Sequence, residues 1–359
     1  MSTEPLRLVL VGAGSMGRAW ARVIRDNPDT ALVGVVDIDA AAAREVAGED
    51  AAAGTDVVEV ARASGAAAVV DVTVPAAHHP VTTAALLAGL DVLGEKPITE
   101  TVAQALSLVA ATQLSGRTFV VSQSRRFTPE GFRFRAMAQA LGTAGTLTSE
   151  FFKAPHFGGF REEMAHPLLV DMAIHQFDLA RFVLDADPVA VYAETFNPPW
   201  SWFEGDASAI ATFEMSGGAR YAYAGSWCAP GLETSWNAGW RLSAEHGSAT
   251  WDGDGEPVIE AMSAVEVADV VDPGRELAGS LAAFVAGLRG GATPMCAAAD
   301  NVLSLAMVEA AVASAETGHR IAIDDVLERA YRTALTDEAR DDVRAVLAGW
   351  PSVREGLAI

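Results

Sequence analysis

A parallel sheet wrapped by helices, followed by an α+β domain with a large, mostly antiparallel open sheet, is the fold class this sequence predicts. Three observations carry it. Over residues 1–125 short apolar runs alternate with helical patterns, which is how a chain builds parallel strands joined by crossover helices. The apolar run 6–11 leads straight into Gly12-Ala13-Gly14-Ser15-Met16-Gly17. From residue 188 to about 271 the pattern changes to alternating bulk interrupted by turns. A chain of 359 residues, half of them hydrophobic, is long enough for two domains and a large core.

In order, the strands of the first domain are expected at 6–11, 31–37, 67–74, 91–94 and 118–123, with helices beginning near Ser15, Ala40, His78 and Thr101. A helix at 129–141 and a strand at 145–153 follow, then one long amphipathic helix from 167 to 184. The clearest hairpin is 207–215, Ser216-Gly217-Gly218, then 219–227. Helices return at 274–288 and 300–317, and the tail 324–349 reads as one or two more. The expected domains are 1–125 for nucleotide binding, 126–325 for substrate binding and oligomerisation, and 326–359 as a helical tail, with ligand expected where the first two meet.

Net charge of −22 argues against nucleic acid and anionic membranes, both of which are bound through an excess of Lys and Arg. Any bound phosphate must then be held by local N–H groups. Cys228 and Cys296 match no metal or disulfide spacing. The start Met1-Ser2-Thr3-Glu4-Pro5 lacks the basic region of a signal peptide, and no apolar run is read as long enough to span a membrane, so a cytoplasmic location is expected.

The glycine motif sits after an expected strand and opens an expected helix, the setting in which it holds a dinucleotide, as in a Rossmann domain. Gly12 permits the tight turn, Gly14 lets a pyrophosphate approach, and Gly17 allows close helix–strand packing. Ser15 and Met16 open the helix whose N-terminal N–H groups face the phosphates. Asp37, twenty residues past Gly17, is placed to meet the ribose 2′-hydroxyl. Its charge would repel a 2′-phosphate, so NAD is expected over NADP.

Further on stand Glu95-Lys96-Pro97 and, on the long helix, Asp171, His175 and Asp178 at i, i+4 and i+7, one helix face. Moving a hydride from an alcohol carbon to a nicotinamide requires removal of the hydroxyl proton, a task that suits histidine near neutral pH. A carboxylate one turn away orients the imidazole, and a lysine beside the reacting oxygen stabilises developing alkoxide. These residues assign His175 as acid/base, Lys96 as polarising or relay group and Asp171 as orienting and substrate-binding group. They leave open which of Lys96 and His175 takes the proton. No third ligand stands at metal-binding spacing, and no metal is expected.

With these motifs in this order, the chain resembles the Gfo/Idh/MocA oxidoreductases, which include glucose–fructose oxidoreductase and inositol 2-dehydrogenase. The resemblance spans about residues 5–325 and rests on the glycine loop, on Pro75 with a nearby histidine, on the run from Ala88 to Pro97, and on Asp171, His175 and Asp178. It implies an NAD-dependent dehydrogenase acting on a secondary alcohol of a cyclitol, sugar or sugar derivative. It implies too that Lys96 lies at the junction of nicotinamide and substrate before a cis proline, with Asp171 and His175 facing it. Pro75, Glu95 and a histidine, His78 or His79, are expected beside the cofactor; His79 is taken as the candidate. Relatives that keep NAD bound and process sugars without net redox change use the same motifs, and a few proteins of this fold only sense NAD. A homodimer or homotetramer through the second domain's sheet is implied as well.

Arg126 lies where the chain leaves the first sheet and is read either as a substrate contact or as a domain-junction ion pair. His156, Arg161 and His166 precede the Asp171 helix and are candidate pocket groups; His166-Pro167 replaces glycines common in the family, which bears on the substrate. Trp200, Trp202, Trp227, Trp236 and Trp240 crowd the strand region, for an interface rather than for sugar stacking.

Overall fold

The computed structural model describes residues 4–292 and 294–359. They form two compact units. The first comprises Met1–Ser124, Gly274–Val302 and Glu328–Ile359, and the second Arg125–Pro273 and Leu303–Leu327.

The first unit begins β1 (Leu6–Val11), α1 (Ser15–Asp26), β2 (Thr30–Val36), α2 (Ala40–Ala47), β3 (Ala52–Gly54) and α3 (Val57–Ser64). It continues with β4 (Ala68–Asp71), α4 (Pro75–Leu87), β5 (Asp91–Glu95), α5 (Val102–Ser115) and β6 (Phe119–Ser122). All strand pairs of its sheet are parallel, in the order β3-β2-β1-β4-β5-β6. The order reverses between β1 and β4, and in such sheets ligands bind at the carboxyl ends of strands at that reversal. Helix α1 buries Gly17, Trp20, Ala21 and Ile24, an i, i+3, i+4, i+7 stripe. Asp39, Asp56 and Thr101 cap α2, α3 and α5 by accepting first-turn N–H bonds.

The expected strands are all present, with ends shifted by up to three residues. Strand β3 and helix α3 had no counterpart in the sequence reading. The strand is three residues long, Ala-Ala-Gly, too short to show a period.

The second unit begins with α6 (Pro129–Ala140), capped by Thr128, and β7 (Ala144–Phe152). A short helix, α7 (Phe160–Glu163), precedes a π-helical turn, Leu168–Ala173, which runs into α8 (Ile174–Leu184). The strands are β8 (Pro188–Phe196), β9 (Ser208–Met215), β10 (Arg220–Ser226), β11 (Gly239–Ala244), β12 (Gly247–Trp251) and β13 (Val258–Ala261). Helices α9 (Glu276–Leu288) and α10 (Ala298–Thr317), strand β14 (Ile321–Ala322), and helices α11 (Ile323–Asp337), α12 (Asp341–Ala348) and α13 (Val353–Leu357) complete the chain. The second sheet runs β13-β12-β11-β7-β10-β9-β8-β14 and is antiparallel except for β7 beside β10.

The expected helix 167–184 is therefore two pieces. A π turn makes i→i+5 bonds and marks functional sites more often than chance; here it carries Asp171. Phe177 of α8 packs on the sheet through Phe213, Tyr223 and Tyr221, with ring centroids 4.8, 5.4 and 6.2 Å away. Trp227 and Trp240 are buried in this same unit, which differs from the interface expected for them, whereas Trp200 and Trp236 are exposed.

Leu281, Phe284 and Val285 of α9 lie in the hydrophobic core with Leu8, Leu10, Trp20 and Val70, so α9 belongs to the nucleotide unit rather than to the second domain. Periodicity finds a helix but not its docking partner. Helix α10 also departs from the sequence reading: at 20 residues and mean hydropathy 1.3 it is long and apolar enough to cross a membrane, but 67% of that window is buried within the fold.

Candidate functional site

In the first unit the glycine loop follows β1 at the sheet's reversal. Gly12 has φ +104°, and a Cβ there would meet the Val72 carbonyl oxygen at 2.7 Å. At Gly17 a Cβ would fall 2.0 Å from the Gly12 carbonyl oxygen. A Cβ on Gly14 meets nothing within 4 Å, so it would project into the open space where a pyrophosphate must lie. Gly14 N-caps α1 without a side-chain hydrogen bond, which leaves first-turn N–H groups for phosphate oxygens. Ser15 and Met16 are exposed there. These features fit a dinucleotide.

Asp37 follows β2 and accepts the Ala13 N–H at 2.6 Å and the Asp39 N–H at 2.9 Å, one on each carboxylate oxygen. It thus braces the glycine loop while its remaining lone pairs stay available to ribose hydroxyls. Ile38 is 98% exposed and Val74, in the loop after β4, is 67% exposed. With Met16 they put three bare apolar side chains at the carboxyl ends of adjacent strands, as suits a ligand with flat rings. No periodic pattern marks Ile38 or Val74 in the sequence.

Lys96 follows β5, and the Lys96–Pro97 peptide is cis. Lys96 and Lys153 are the chain's two lysines. Lys153, in the second unit, pairs with Glu233 at 3.0 Å and lies over the Trp236 ring, which leaves Lys96 to supply the lysine of the motif. Glu95 is buried: its Oε1 accepts the Trp20 indole N–H at 2.8 Å and its Oε2 the Lys96 backbone N–H at 3.1 Å. Burial raises its pKa, against the Trp20 bond and the Lys96 charge. The Trp20 partnership has no signal in the sequence.

Pro75 opens α4 at its first position. The two histidines behind it part company. His78 is buried, with Nδ1 2.8 Å from the Pro97 carbonyl oxygen and Nε2 3.0 Å from that of Thr73. His79 has its Nε2 3.6 Å from buried Glu338 at the end of α11. Burial lowers the His79 pKa, and Glu338 opposes that shift. It is thus His78 that links the β4 loop to Lys96-Pro97. Asp71, at the end of β4, accepts from Thr73 N, Thr73 Oγ1 and Thr82 Oγ1, and burial raises its pKa.

In the second unit His175 is 7% exposed in the first turn of α8, and Asp171 is half-buried in the π turn before it. Asp171 Oδ2 accepts from Arg161 Nε at 2.7 Å, and the Arg161 guanidinium lies over Phe157 and Phe160. Arg126 is buried and donates to both Asp178 oxygens at 2.6 and 2.7 Å, the ion pair weighed for it. Asp178 also accepts from Ser304, which takes a bond from Arg181. His156 stacks on Trp202 with centroids 3.8 Å apart. His166 reaches Thr195 Oγ1 at 3.3 Å and Glu316 at 3.7 Å.

Known proteins match this picture. Residues 6–123 match the oxidoreductase family with an NAD-binding Rossmann fold, GFO/IDH/MocA, and residues 115–250 match the GFO/IDH/MocA C-terminal domain. Inositol 2-dehydrogenase 4 of Saccharopolyspora erythraea is 36% identical over 197 residues, 53% of this chain and 57% of that protein. The rhizopine catabolism protein MocA of Rhizobium meliloti is 27% identical over 317 residues, 85% of this chain and 93% of that one. The match thus spans a little over half of the inositol dehydrogenase. An Agrobacterium radiobacter oxidoreductase crystallised with NAD+, L-tartaric acid and magnesium has the same fold: TM-score 0.78, 19% identity, 90% of this chain and 99% of that one.

Fold and nucleotide cradle together define the NAD-binding Rossmann domain of an oxidoreductase family. The chain belongs to the Gfo/Idh/MocA family.

Proposed function

We propose that the protein is an NAD-dependent dehydrogenase acting on a secondary alcohol, or in reverse its ketone, of a cyclitol, sugar or sugar derivative. The observation that carries this reading is Lys96. It is the one lysine beside the nucleotide cradle, its backbone is tied to buried Glu95, and it belongs to a unit whose fold binds NAD. The names of relatives such as inositol 2-dehydrogenase supply the substrate class.

NAD, which the glycine loop and Asp37 would hold, would supply the hydride acceptor for the CH–OH carbon. This chain's residues handle the proton. In the proposed reaction the alcohol O–H bond breaks as the C–H bond breaks, the proton passes to His175 or Lys96, and a ketone remains. Where His175 takes the proton, the Lys96 ammonium donates a hydrogen bond to the oxygen as charge builds on it; where Lys96 takes it, Lys96 enters the reaction as the neutral amine. His175, buried on α8, is the proton acceptor or relay, and Asp171 holds a substrate hydroxyl or the imidazole in place. Arg161 orients Asp171 by a charge-assisted bond. Arg126, held by Asp178, braces α8, and His156 and His166 shape the substrate mouth. Asp37, with no 2′-phosphate tolerated beside it, selects NAD over NADP.

The reading includes a homodimer or homotetramer. It is supported by Tyr192 and Ile210, both exposed on neighbouring strands β8 and β9. Sedimentation of the purified chain tests this part.

The function is tested by following NADH formation from NAD, and NADPH from NADP, against inositols, aldoses and glycosides. Turnover with NAD and a member of this panel supports the assignment. Activity on glycosides without added NAD, with NAD found in the purified protein, would replace it with the redox-neutral sugar-processing mechanism.

A further inference from the structure

Both ring nitrogens of His78 stand at hydrogen-bonding distance from backbone carbonyl oxygens, 2.8 Å from Pro97 O and 3.0 Å from Thr73 O. A carbonyl oxygen can only accept. A neutral imidazole has one N–H and one lone pair, so either tautomer would press a lone pair against an oxygen inside a site that is 3% exposed. Only the doubly protonated ring satisfies both contacts.

The surroundings call for a cation as well. Asp71 and Glu95 are buried carboxylates, and every hydrogen bond given to their oxygens comes from a donor: Thr73 N, Thr73 Oγ1 and Thr82 Oγ1 on Asp71, Trp20 Nε1 and Lys96 N on Glu95. Burial pushes the pKa of both carboxyls up, so each stays ionised only with compensating donors or charge beside it. The charge of His78 favours the ionised form of both. Around the ring, β4 supplies Asp71 and β5 supplies Glu95, with Lys96 just beyond. Helices α3 and α5 also pack on α4, and among the described residues neither forms an ion pair with His78. The adjacent His79 pairs elsewhere, with Glu338.

We propose that His78 is held as a buried imidazolium that clasps the β4 loop to Pro97 and so sets the position of Lys96. It is a positioning residue: it touches neither hydride nor proton, and acts through the backbone on either side of the lysine. Its cationic state follows from the hydrogen bonds alone, whereas its effect on turnover rests on the proposed dehydrogenase reading.

The test uses the full chain labelled with ¹⁵N-histidine. Two-bond ¹H–¹⁵N spectra at neutral pH distinguish a ring with two N–H groups from either tautomer, and His78→Gln assigns the signal. Should that variant not fold, replacing the other six histidines singly by glutamine assigns His78 by elimination. Two protonated nitrogens are expected; one unprotonated nitrogen would overturn the proposal.

The effect on Lys96 is read without any substrate. Reductive ¹³C-methylation marks both lysines, and His78→Gln is expected to move the Lys96 methyl signal while leaving that of Lys153 in place. An unmoved Lys96 signal would contradict the positioning role. If the dehydrogenase reading also holds, His78→Gln lowers kcat by about 100-fold, the usual effect of a small misplacement, with KM and NAD affinity little changed. A normal kcat in an active enzyme would refute the link to catalysis but leave the dehydrogenase reading standing.

Discussion

Arg126 and Asp178 form a buried bidentate ion pair, with Nε 2.6 Å and Nη2 2.7 Å from the two carboxylate oxygens. The pair fixes α8 at its centre, one turn past His175. Removing one partner strands the other charge in the core. Arg126→Met is therefore expected to lower unfolding stability by about 3–5 kcal/mol, and adding Asp178→Leu to restore part of it. Urea unfolding of the single and double variants measures both. A single variant as stable as the parent would refute the bracing role.

Gly14 and Gly17 differ in what a methyl group would meet. Gly14→Ala is expected to leave stability within about 0.5 kcal/mol, as open surface positions do. It should weaken NAD binding about 10–100-fold by displacing phosphate from charged hydrogen bonds. Gly17→Ala forces a Cβ onto the Gly12 carbonyl and should lower both stability and affinity. Calorimetric titration with NAD, paired with thermal unfolding, separates the two; equal behaviour would contradict the cradle as described.

Asp37 holds the glycine loop and is expected to read the ribose. Asp37→Ala should weaken NAD binding about 10–100-fold, the cost of lost charge-assisted bonds. Because a negative charge disappears, NADP should lose less than NAD does. An unchanged NAD-to-NADP affinity ratio would sink the ribose role.

His79 is half-buried against Glu338, and this partial burial holds its pKa below the ordinary value. The unfolded chain takes up a proton near about pH 6.5, where the folded chain still resists it. The stability gained from neutral His79 is complete above that pH and is lost as pH falls through it. His79→Asn should flatten this loss. Urea midpoints from alkaline to mildly acid pH measure the difference, and parallel curves would count against it.

Much of this was legible in the sequence because it is local. The strand 6–11 and its glycine loop need only a short apolar run and three glycines, and the helical setting of His175 needs only periodicity. What escaped was long-range. Trp20 meets Glu95 across 75 residues, and His79 meets Glu338 near the other end of the chain. Helix α9 docks in the nucleotide core although it follows the second sheet in sequence. The π turn at Leu168–Ala173 escaped because its apolar pattern is that of an α-helix; the extra residue per turn leaves no mark in composition. The choice between His78 and His79 could not be made from spacing, since it depends on which ring reaches Pro97.

The central claim is that Lys96 and His175 carry the proton chemistry of an NAD-dependent alcohol oxidation. The most direct measurement is steady-state NADH formation by Lys96→Ala and His175→Ala with the substrate found in the panel, alongside NAD affinity by titration. Turnover lower by about 10²–10⁴-fold in each, with NAD binding mostly intact, is the predicted result. Near-normal turnover in both variants would contradict it.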